Sequence, residues 1–404
     1  MKATFFSNFL NHHQLPFCRA MVKRLGEGFR FVATEPIPRE RLDLGYQDMD
    51  KDYPFVVAAY SSEAARAEAM RLCMESDVIV TGSAPEEYTI RRIQGGKMTF
   101  RYSERIYKRG RWRVMSPRGF VHLVKNHLRY RHKPLYMLCA SAYTASDFAM
   151  TGNYLGKTYK WGYFSEVKDL DLLALMAQKR RNESITILWA GRLIGWKHPC
   201  VPILMAERLK QDNVIFQMKI IGTGELEGLM RNLVKQKGLS DCVQLLGATP
   251  PEKVREHMEA ADIFTFTSDF NEGWGVVLNE AMSSGCAVVA SHAIGSVPFL
   301  LRDGDNGMIY RNGDMDDLYL KIRALIGDGV LRQRLGMAAY DTMAGTWNAE
   351  VAADRFLKLC DSLQQGHATP FADGPCSKAE VVFQHQMYDS LMMRKGMSKY
   401  RQTL

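Results

Sequence analysis

Residues 263–282 read IFTFTSDFNEGWGVVLNEAM, and this stretch decides the fold class of the 404-residue chain. It begins with an apolar run at residues 263–267, which has the length and composition of a buried strand, and it ends in a helical pattern. Between them lies a polar loop in which Glu272 precedes two glycines, and a second glutamate, Glu280, lies on the predicted helix that follows. In open parallel sheets ligands bind beyond the carboxyl ends of the strands, so this loop is a candidate ligand site.

The same succession of an apolar run and a helical pattern recurs along the whole chain. Strands are predicted at residues 4–6, 29–33, 55–60, 78–81, 98–102 and 136–139 in the first half, and at 185–190, 217–221, 243–246, 263–267, 287–291 and 308–310 in the second. Strands that alternate with helices form βαβ crossovers. The predicted fold class is therefore α/β, with two Rossmann-like domains that face each other across a cleft.

The predicted domain boundaries follow from polar and loop-forming stretches. Residues 1–165 form an N-terminal Rossmann-like domain, residues 166–183 a polar linker, and residues 184–365 a C-terminal Rossmann-like domain. Residues 366–404 form a tail that is rich in glycine and proline at its start and ends in a helix. The sequence leaves open whether this tail packs back on the N-terminal domain.

The composition is that of an ordinary globular protein, with 24% charged and 46% hydrophobic residues. No apolar run reaches the roughly 18 residues that a membrane-spanning helix needs, which argues against an integral membrane protein. Residues 1–17 lack the pattern of a secretory signal. The eight cysteines include no C-x-x-C pair, so we expect a cytoplasmic protein with reduced thiols and no metal site.

The net charge of +9 is concentrated in the first half of the chain. Residues 91–133 contain 14 lysines and arginines but only one acidic residue, Glu104, and aromatic residues lie between them. Such a block is typical of a solvated basic face, of attachment to an anionic membrane surface, or of nucleic-acid binding. Residues 120–132 also have the pattern of an amphipathic helix, which fits either a membrane surface or ordinary packing on a sheet.

Two further motifs follow predicted strands in the second half. Gly191 and Arg192 come directly after residues 185–190, with Lys197 five residues later, and two cations so placed can clamp a diphosphate. Gly222 and Gly224 follow residues 217–221, where glycines allow a ligand to approach the backbone closely. Each motif alone also fits a surface loop or an ordinary turn. The loop between the two glutamates favours a site for phosphate or sugar oxygens more strongly.

Together these motifs resemble those of the retaining nucleotide-sugar glycosyltransferases with the GT-B fold, family four, of the bacterial surface-polysaccharide type. The resemblance rests on Glu272-x7-Glu280, Gly191-Arg192-Leu193, Lys197 and Gly222-Thr223-Gly224, and segments 280–290 and 303–307 extend it. It implies transfer of a sugar from a nucleotide diphosphate sugar, with retention at the anomeric carbon, in surface-glycan biosynthesis. It also implies that no metal or other cofactor is needed, and the sequence has no evident Asp-x-Asp site at a strand end.

The resemblance also implies roles for individual residues. Arg192 and Lys197 would stabilise the leaving diphosphate, and Glu272 would hold hydroxyls of the sugar; these three are the predicted catalytic residues. The predicted donor-binding residues are Gly191, Arg192, Lys197, Gly222, Gly224, Leu246, Gly273, Trp274, Gly275 and Glu280. In the first domain, which would bind the acceptor, the loop after the first strand lacks the usual glycine pair. Its residues Asn11, His12 and His13, together with Glu104, are predicted to contact the acceptor or the donor.

The expected partners are a nucleotide sugar, a lipid-linked or polysaccharide acceptor, and an anionic membrane surface, with no nucleic acid. The expected location is the inner face of the cytoplasmic membrane, where a basic domain would attach peripherally. Two alternatives remain open: a GT-B-fold sugar-nucleotide epimerase, and a non-catalytic nucleic-acid or glycan-binding protein that uses the basic block. The sequence leaves undetermined the sugar, the nucleobase, the acceptor, the linkage and the oligomeric state.

Overall fold

The computed structural model describes residues 1–39, 42, 47–108, 110, 116–180 and 184–401. The chain divides into two compact units, one formed by Met1–Glu166 with Trp347–Val381 and the other by Val167–Thr346 with Val382–Leu404. The last residues of the predicted linker (181–183), the end of the predicted tail (402–404) and part of the basic block (109 and 111–115) lie outside the described residues.

The first unit is built on a seven-stranded parallel sheet in the order β3-β2-β1-β4-β5-β6-β7. Its strands are β1 (Ala3–Ser7), β2 (Phe29–Ala33), β3 (Val56–Ala58), β4 (Val78–Thr81), β5 (Thr99–Ser103), β6 (Leu135–Cys139) and β7 (Thr158–Lys160). The helices between them are α1 (Leu15–Leu25), α2 (Glu63–Glu75), α3 (Ile90–Gln94), α4 (Pro117–Asn126) and α5 (Thr144–Ala149). All five residues of β1 are buried, as expected for a parallel strand that is covered on both faces.

The second unit is built on a six-stranded parallel sheet in the order β10-β9-β8-β11-β12-β13. Its strands are β8 (Ile185–Ala190), β9 (Phe216–Ile221), β10 (Val243–Gly247), β11 (Ile263–Phe266), β12 (Ala287–Ser291) and β13 (Met308–Tyr310). Its helices are α6 (Leu172–Arg180), α7 (Val201–Gln211), α8 (Glu227–Gln236), α9 (Pro251–Ala260), α10 (Val277–Ser283), α11 (Val297–Leu300), α12 (Met315–Gly327) and α13 (Gly329–Gly345).

Both sheets have the strand order of the doubly wound fold, in which chain progression reverses beside the first strand of the sheet. In the second unit this reversal lies between β8 and β11, which are paired neighbours. The prediction of two parallel-sheet, Rossmann-like α/β domains is confirmed. The core of the second unit is formed by inward-facing aliphatic side chains of the strands, such as Ile187, Ile220 and Val289, packed on those of the helices.

Polar residues at helix starts define where the chain turns from loop to helix. The side chain of Ser62 accepts a hydrogen bond from Ala65 N at the start of α2, and Asp314 and Asp328 do the same at the starts of α12 and α13. Such caps satisfy backbone donors that the helix itself leaves free. The acidic cluster around Asp314 is therefore explained by helix capping.

The end of the chain is divided between the two units. Helix α14 (Ala349–Gln364), which the sequence placed in the C-terminal domain, packs on α1 of the first unit, where Arg24 binds Glu350 and Asp354 at 2.7 and 2.6 Å. An amphipathic pattern shows that a helix has a buried face but does not show which sheet covers it, and this explains the difference from the predicted boundary.

The tail after α14 adds to both units in turn. Lys160 N of β7, a strand that sequence reasoning missed, donates to Ser377 O at 2.8 Å, and the Thr158 hydroxyl donates to Ala379 O at 2.8 Å. The last helix, α15 (Gln384–Arg401), belongs to the second unit, where the Tyr388 hydroxyl donates to Asp317 at 2.9 Å. Within the described ranges no helix is both long and apolar enough to cross a membrane.

Candidate active site

The centre of the candidate site is an ion pair at the carboxyl ends of β8 and β11. Lys197 lies in a short 3-10 turn (Gly195–Lys197) after β8, and Glu272 lies in the loop after β11. Lys197 Nζ is 2.7 Å from Glu272 Oε2, and the two side chains are only 11% and 10% exposed. The structure thus brings together two of the three predicted catalytic residues at the position where ligands bind in open parallel sheets.

The carboxylate of Glu272 is held on one side only. The hydroxyl of Ser268 donates to Oε2 at 2.8 Å, so this oxygen accepts hydrogen bonds from both Ser268 and Lys197. Among the described residues, Oε1 of Glu272 has no hydrogen-bond partner. The carboxylate is therefore fixed in orientation while one oxygen remains available to a ligand, the arrangement that a group for recognising hydroxyls requires.

The loops after β8 and β11 are tied together by residues that the sequence analysis did not single out. The Trp189 indole donates to the Thr267 hydroxyl at 2.8 Å, and that hydroxyl donates to Lys197 O at 2.8 Å. Asp269 N donates to Trp196 O at 3.0 Å. Thr267 is the last residue of the predicted strand and Ser268 follows it, so their position at a strand end was the one signal that could have found them.

The glycines after β8 and β9 are explained by the close contact of two loops. A Cβ atom on Gly222, whose φ is +132°, would lie 1.9 Å from Gly191 O, and one on Gly224 would lie 2.5 Å from Leu193 O. Leu193 N donates to Thr223 O at 2.9 Å, which holds the loops side by side. Only glycine allows this approach at positions 222 and 224, while Gly191 contributes the backbone oxygen that Gly222 meets.

The residues around the start of α10 have two different roles. Gly275 has φ of +81°, and a Cβ atom there would lie 2.6 Å from the Phe266 ring. The Trp274 side chain is fully buried, and its indole donates to Asn279 at 2.8 Å. Trp274 therefore supports the loop from inside, and any contact that it and the buried Gly273 make with a donor would use the backbone.

The second glutamate of the pair, Glu280, lies beside an arginine that the sequence analysis missed. Burial raises the pKa of the Glu280 carboxyl group, and the charge of Arg255 on α9 opposes that rise. Arg255 Nη1 donates to Glu280 O at 3.2 Å, while its buried Nε and Nη2 have no partner in the described part of the chain. Arg255 thus has two unpaired buried donors next to Glu280, one of the predicted donor-binding residues.

Arg192 and Leu246 lie at the exposed rim of the second sheet. Arg192 is exposed, and its guanidinium lies 6.0 Å from the centre of the Trp196 ring, the same ring that Lys197 Nζ approaches at 4.8 Å. The predicted pair of cations therefore shares one aromatic neighbour. Leu246, at the end of β10, is 36% exposed and has no polar side-chain atoms, as expected if a base is recognised there through the backbone.

The predicted loop residues of the first unit form a second cluster at the carboxyl edge of the first sheet. The Asn11 side chain accepts hydrogen bonds from His13 N and Gln14 N at 3.0 and 3.2 Å, so Asn11 shapes the turn before α1. His13 stacks on Tyr163, with ring centres 5.8 Å apart, and its ring is tilted against that of His12 at 3.8 Å. The Tyr163 hydroxyl donates to Glu104 at 2.7 Å. Glu104 also pairs with Lys108.

Burial controls the charge of these histidines. It lowers the pKa of His13 to about 3, with the neighbouring His12 as a second cause, and it also lowers the pKa of His12. His13 is therefore neutral at physiological pH and can contact a ligand by hydrogen bonding or stacking only. In the described ranges, no group of three or more His, Cys, Asp or Glu is arranged to hold a metal ion.

Much of the second unit is similar to a known protein family. Residues 175–342 match the family model described as "Glycosyl transferases group 1". This part of the second unit is therefore similar to glycosyl transferases of group 1. The matched residues run from α6 through most of α13 and include the Lys197–Glu272 pair, Glu280 and the glycine loops.

The curated relatives that the chain resembles include several glycosyltransferases. The chain is 34% identical over 142 residues to the amylovoran biosynthesis glycosyltransferase AmsK of Erwinia amylovora, covering 34% of this chain and 35% of AmsK. It is 30% identical over 161 residues to a D-inositol 3-phosphate glycosyltransferase of Corynebacterium aurimucosum, covering 38% of each chain. The chain thus spans well under half the length of these relatives.

Solved structures resemble the chain over nearly its whole length. Anabaena Alr3699/HepE in complex with UDP and glucose has a TM-score of 0.61 at 15% identity and covers 90% of this chain and 100% of its own. The lipopolysaccharide outer core galactosyltransferase WaaB in its apo form has a TM-score of 0.62 at 15% identity, covering 89% and 98%. At these identities the likeness shows the fold alone: each unit has the parallel-sheet, Rossmann-like fold found in these GT-B structures.

Proposed function

We propose that the protein is a retaining glycosyltransferase that moves a sugar from a nucleotide diphosphate sugar to a lipid-linked or polysaccharide acceptor in bacterial surface-glycan synthesis. The observation that carries the proposal is the Lys197–Glu272 pair, a cation and an oriented carboxylate 2.7 Å apart at the ligand-binding edge of the unit that is similar to group 1 glycosyl transferases. A donor needs both groups, a cation for its diphosphate and a hydrogen-bond acceptor for its sugar hydroxyls.

The proposed reaction exchanges two bonds at the anomeric carbon. The bond from C1 of the sugar to the diphosphate oxygen breaks, and a bond from C1 to the acceptor oxygen forms on the same face. The acceptor proton passes to the leaving diphosphate. Lys197 and Arg192 stabilise the negative charge that develops on this leaving group, and such stabilisation accelerates a reaction because it is stronger in the transition state.

Glu272 is assigned to holding the donor sugar and not to attacking C1. Its Oε2 already accepts hydrogen bonds from Lys197 and Ser268, which lowers its ability to act as a nucleophile. Its Oε1 would accept hydrogen bonds from sugar hydroxyls. Glu280 would accept hydrogen bonds from the two ribose hydroxyls, and the unpaired donors of Arg255 lie beside it. Two cations at the diphosphate would make a metal ion unnecessary.

The relatives suggest where to begin the search for substrates. HepE was solved with UDP and with UDP-glucose, so uridine diphosphate sugars are the first donors to test. AmsK is an amylovoran biosynthesis enzyme and LpsE of Rhizobium meliloti a lipopolysaccharide core biosynthesis enzyme. Both support a surface glycan, or its lipid-linked precursor, as the acceptor.

Helix α4 supports a peripheral position on the inner face of the cytoplasmic membrane. Phe120 and Val121 are 48% and 61% exposed, although the sequence pattern would also have fitted a buried face, and Arg118 and Lys125 on the same helix are exposed. Exposed apolar residues flanked by basic residues are typical of helices that lie in an anionic membrane interface. We include this attachment in the proposal.

The test begins with donor binding. The melting temperature of the protein is measured with UDP, GDP and ADP and with their sugars, because a ligand at 100 times its Kd adds about 2.7 kcal/mol of stability. One nucleoside diphosphate should stabilise the wild type and not the Lys197→Met variant. No stabilisation by any of them would contradict the proposal.

The reaction itself is followed by NMR of the anomeric proton. Incubation with the donor and a membrane extract of lipid-linked acceptors should give a product with the donor's anomeric configuration. Inversion would contradict retention. Release of an altered sugar from the donor alone would instead indicate the epimerase, and salt-sensitive oligonucleotide binding without donor binding would indicate the non-catalytic protein.

A further inference from the structure

Two side-chain pairs, an inner and an outer one, tie the turn after β8 to the loop after β11. The inner pair is Lys197 with Glu272. The outer pair joins the next residue of the turn, His198, to Asp269, and His198 Nε2 is 3.2 Å from Asp269 Oδ2. Glu272 N donates to Asp269 O at 3.0 Å, so one tight turn carries both carboxylates. The side chains of Lys197 and His198 therefore reach the same short loop.

His198 has an unusual backbone conformation for a residue that carries a side chain. Its φ and ψ are +50° and +52°, in the left-handed region that glycine adopts freely and other residues adopt with strain. His198 N donates to Gly195 O at 3.1 Å and its O accepts from Val201 N at 3.1 Å, so the conformation is fixed between the 3-10 turn and α7. Strained residues are concentrated at functional sites. Glycine would fit this turn better, so the histidine side chain needs another explanation.

The contact with Asp269 orients the ring of His198 but does not by itself explain the residue. The two side chains are 44% and 23% exposed, and ion pairs at such exposure add little to stability. The carboxylate is fixed, because Asp269 Oδ1 accepts hydrogen bonds from Asn271 N and Nδ2 at 2.8 and 2.9 Å. Burial would raise the pKa of Asp269, but hydrogen bonds from His198 and Asn271 hold it below its ordinary value. Asp269 is therefore an ionised group that holds His198 by one nitrogen.

The other ring nitrogen of His198 is available to a ligand. Nδ1 forms no hydrogen bond in the described part of the chain, and the side chain is accessible to solvent. Basic groups surround the turn, since Lys197 is the preceding residue and Arg192 and Lys197 both lie near the Trp196 ring. Asp269 N donates to Trp196 O at 3.0 Å, which keeps the outer pair beside these cations. An imidazole N–H in such a setting is suited to a phosphate oxygen.

We propose that His198 is a further catalytic residue, which donates a hydrogen bond from Nδ1 to the sugar-bearing phosphate of the donor as the diphosphate leaves. The inference rests on the proposed function, since it adds a third basic group to Arg192 and Lys197. Nε2 donates to Asp269 at the same time, so the ring carries a positive charge that the carboxylate balances. His198 transfers no proton, and the proton of the acceptor still passes to the leaving diphosphate. The hydrogen bond accelerates transfer because it strengthens as negative charge develops on the leaving group.

The variant His198→Gly separates the role of the side chain from that of the turn. Glycine suits the left-handed backbone, so the variant should melt no lower than the wild type although it loses the contact with Asp269. Its affinity for the nucleoside diphosphate that stabilises the wild type should fall about tenfold, as for a lost hydrogen bond between charged groups. Its affinity for the matching monophosphate, which lacks the sugar-bearing phosphate, should be unchanged. Isothermal titration calorimetry measures both affinities, and the rate of transfer should also fall about tenfold or more.

A second variant and a matched control complete the experiment. Asparagine also adopts the left-handed conformation but is too short to reach both Asp269 and a phosphate, so His198→Asn should lose the same diphosphate affinity as His198→Gly. This result would exclude mobility of a glycine turn as the cause. Asn213→Gly is the control, because Asn213 has φ of +54° and lies at an exposed position just after α7 in the same unit. It should melt no lower than the wild type and bind the diphosphate with unchanged affinity.

The comparison with the wild type keeps this proposal distinguishable from the proposed function. If the wild type binds a nucleoside diphosphate and His198→Gly binds it equally well, the role of His198 is overturned and the proposed function stands. The same holds if His198→Gly loses as much affinity for the monophosphate as for the diphosphate, or if His198→Asn binds as the wild type does. If the wild type binds no nucleoside diphosphate at all, both proposals are overturned.

Discussion

The carboxyl edges of the two sheets share a strand order but differ in the charge that they present. At the edge of the second sheet, Lys197 and Glu272 form a nearly buried pair of opposite charges. At the edge of the first sheet, the described residues that line a cavity of about 440 Å³ near Tyr107 include no Lys, Arg, Asp or Glu, and burial keeps His127 uncharged. The same strand order therefore carries a nearly buried ion pair at one edge and, at the other, a cavity whose described lining has no charged side chain.

The two edges also differ in how their shape is fixed. The second depends on backbone contact between loops, which only glycine permits, as at Gly222 against Gly191. The first depends on side-chain packing, such as the Asp147 carboxylate that holds the loop of Ile106 and Tyr107. Backbone contacts tolerate almost no substitution, whereas side-chain contacts can be adjusted. The second edge should therefore be much more sensitive to a single added carbon atom.

The largest effect is expected from Gly222→Val. Its Cβ atom would lie 1.9 Å from Gly191 O at a φ of +132°, so both the loop and the backbone conformation must change. We expect a loss of about 5 kcal/mol in the free energy of unfolding, from backbone strain and overpacking together. Urea unfolding, followed by the fluorescence of the second unit's tryptophans, measures this loss.

Gly228→Ala provides the control for that variant. Gly228 lies on α8, is exposed, and has no atom within 4 Å of the added Cβ, so alanine should stabilise the helix by about 0.5–1 kcal/mol. If Gly222→Val unfolded no more easily than Gly228→Ala, the two edges would not differ in the way that we describe.

This contrast explains how much of the structure could be predicted from the sequence. The strands of the second unit are dense in Val, Ile and Leu and end in glycine motifs, so their positions and the residues after them could be read directly. The short strand β7 could not, because it has only the three residues TYK, and it is held between β6 on one side and the tail at Ser377, far away in the chain, on the other. Similarly, the packing of α14 on α1 depends on a surface that no local pattern identifies.

The candidate site shows the same limit. Lys197 and Glu272 could be predicted to lie near each other because both follow central strands of one sheet. The sequence could not show that Trp274 is turned inward or that Arg255 lies beside Glu280, since both depend on side-chain directions across elements. The cavity beside Tyr107 left no motif, because its walls come from three separate segments.

The second largest effect is expected from Lys197→Met. Methionine keeps most of the length of the side chain and removes the charge at the proposed diphosphate, so transfer should slow about 10²–10³-fold, as for other groups that stabilise developing charge. Turnover of the donor identified by thermal shift measures the change. Lys253→Met, which removes an exposed ion pair with Glu256 on α9, should leave turnover unchanged. Equal rates in the two variants would exclude a role for Lys197 in the reaction.

A change of pH is expected to have an intermediate effect on the stability of the first unit. Burial lowers the pKa of His127 to about 3, below its unfolded value of about 6.5, so the unfolded state binds a proton first as the pH falls. The stability that neutral His127 contributes is complete above pH 6.5 and declines as the pH falls toward 3. At pH 5, each buried histidine of this kind should lower the free energy of unfolding by about 2 kcal/mol.

His127→Gln should therefore reduce the loss of stability between pH 7 and pH 5 by about 2 kcal/mol. Glutamine can still accept a hydrogen bond from the Tyr154 hydroxyl. Unfolding in urea at the two pH values measures the difference, with His367→Gln, at an exposed position of the same unit, as the control. If the wild type and His127→Gln lost the same stability between the two pH values, protonation of His127 would not be the cause of the loss.

The smallest effect is expected from Val121→Ser, and it tests whether the basic surface around the first edge attaches to membranes. Val121 is 61% exposed on α4, so serine should change the stability of the folded protein little. It removes apolar area that would enter the membrane interface, and this loss of about 1 kcal/mol should weaken the partition into vesicles about fivefold. Sedimentation with phosphatidylglycerol vesicles measures the partition, and phosphatidylcholine vesicles show its dependence on charge. Val330→Ser, at an 80% exposed position on α13, should bind as the wild type does. If both serine variants partition equally, the membrane contact does not involve α4, and the exposed valine on this helix needs another explanation.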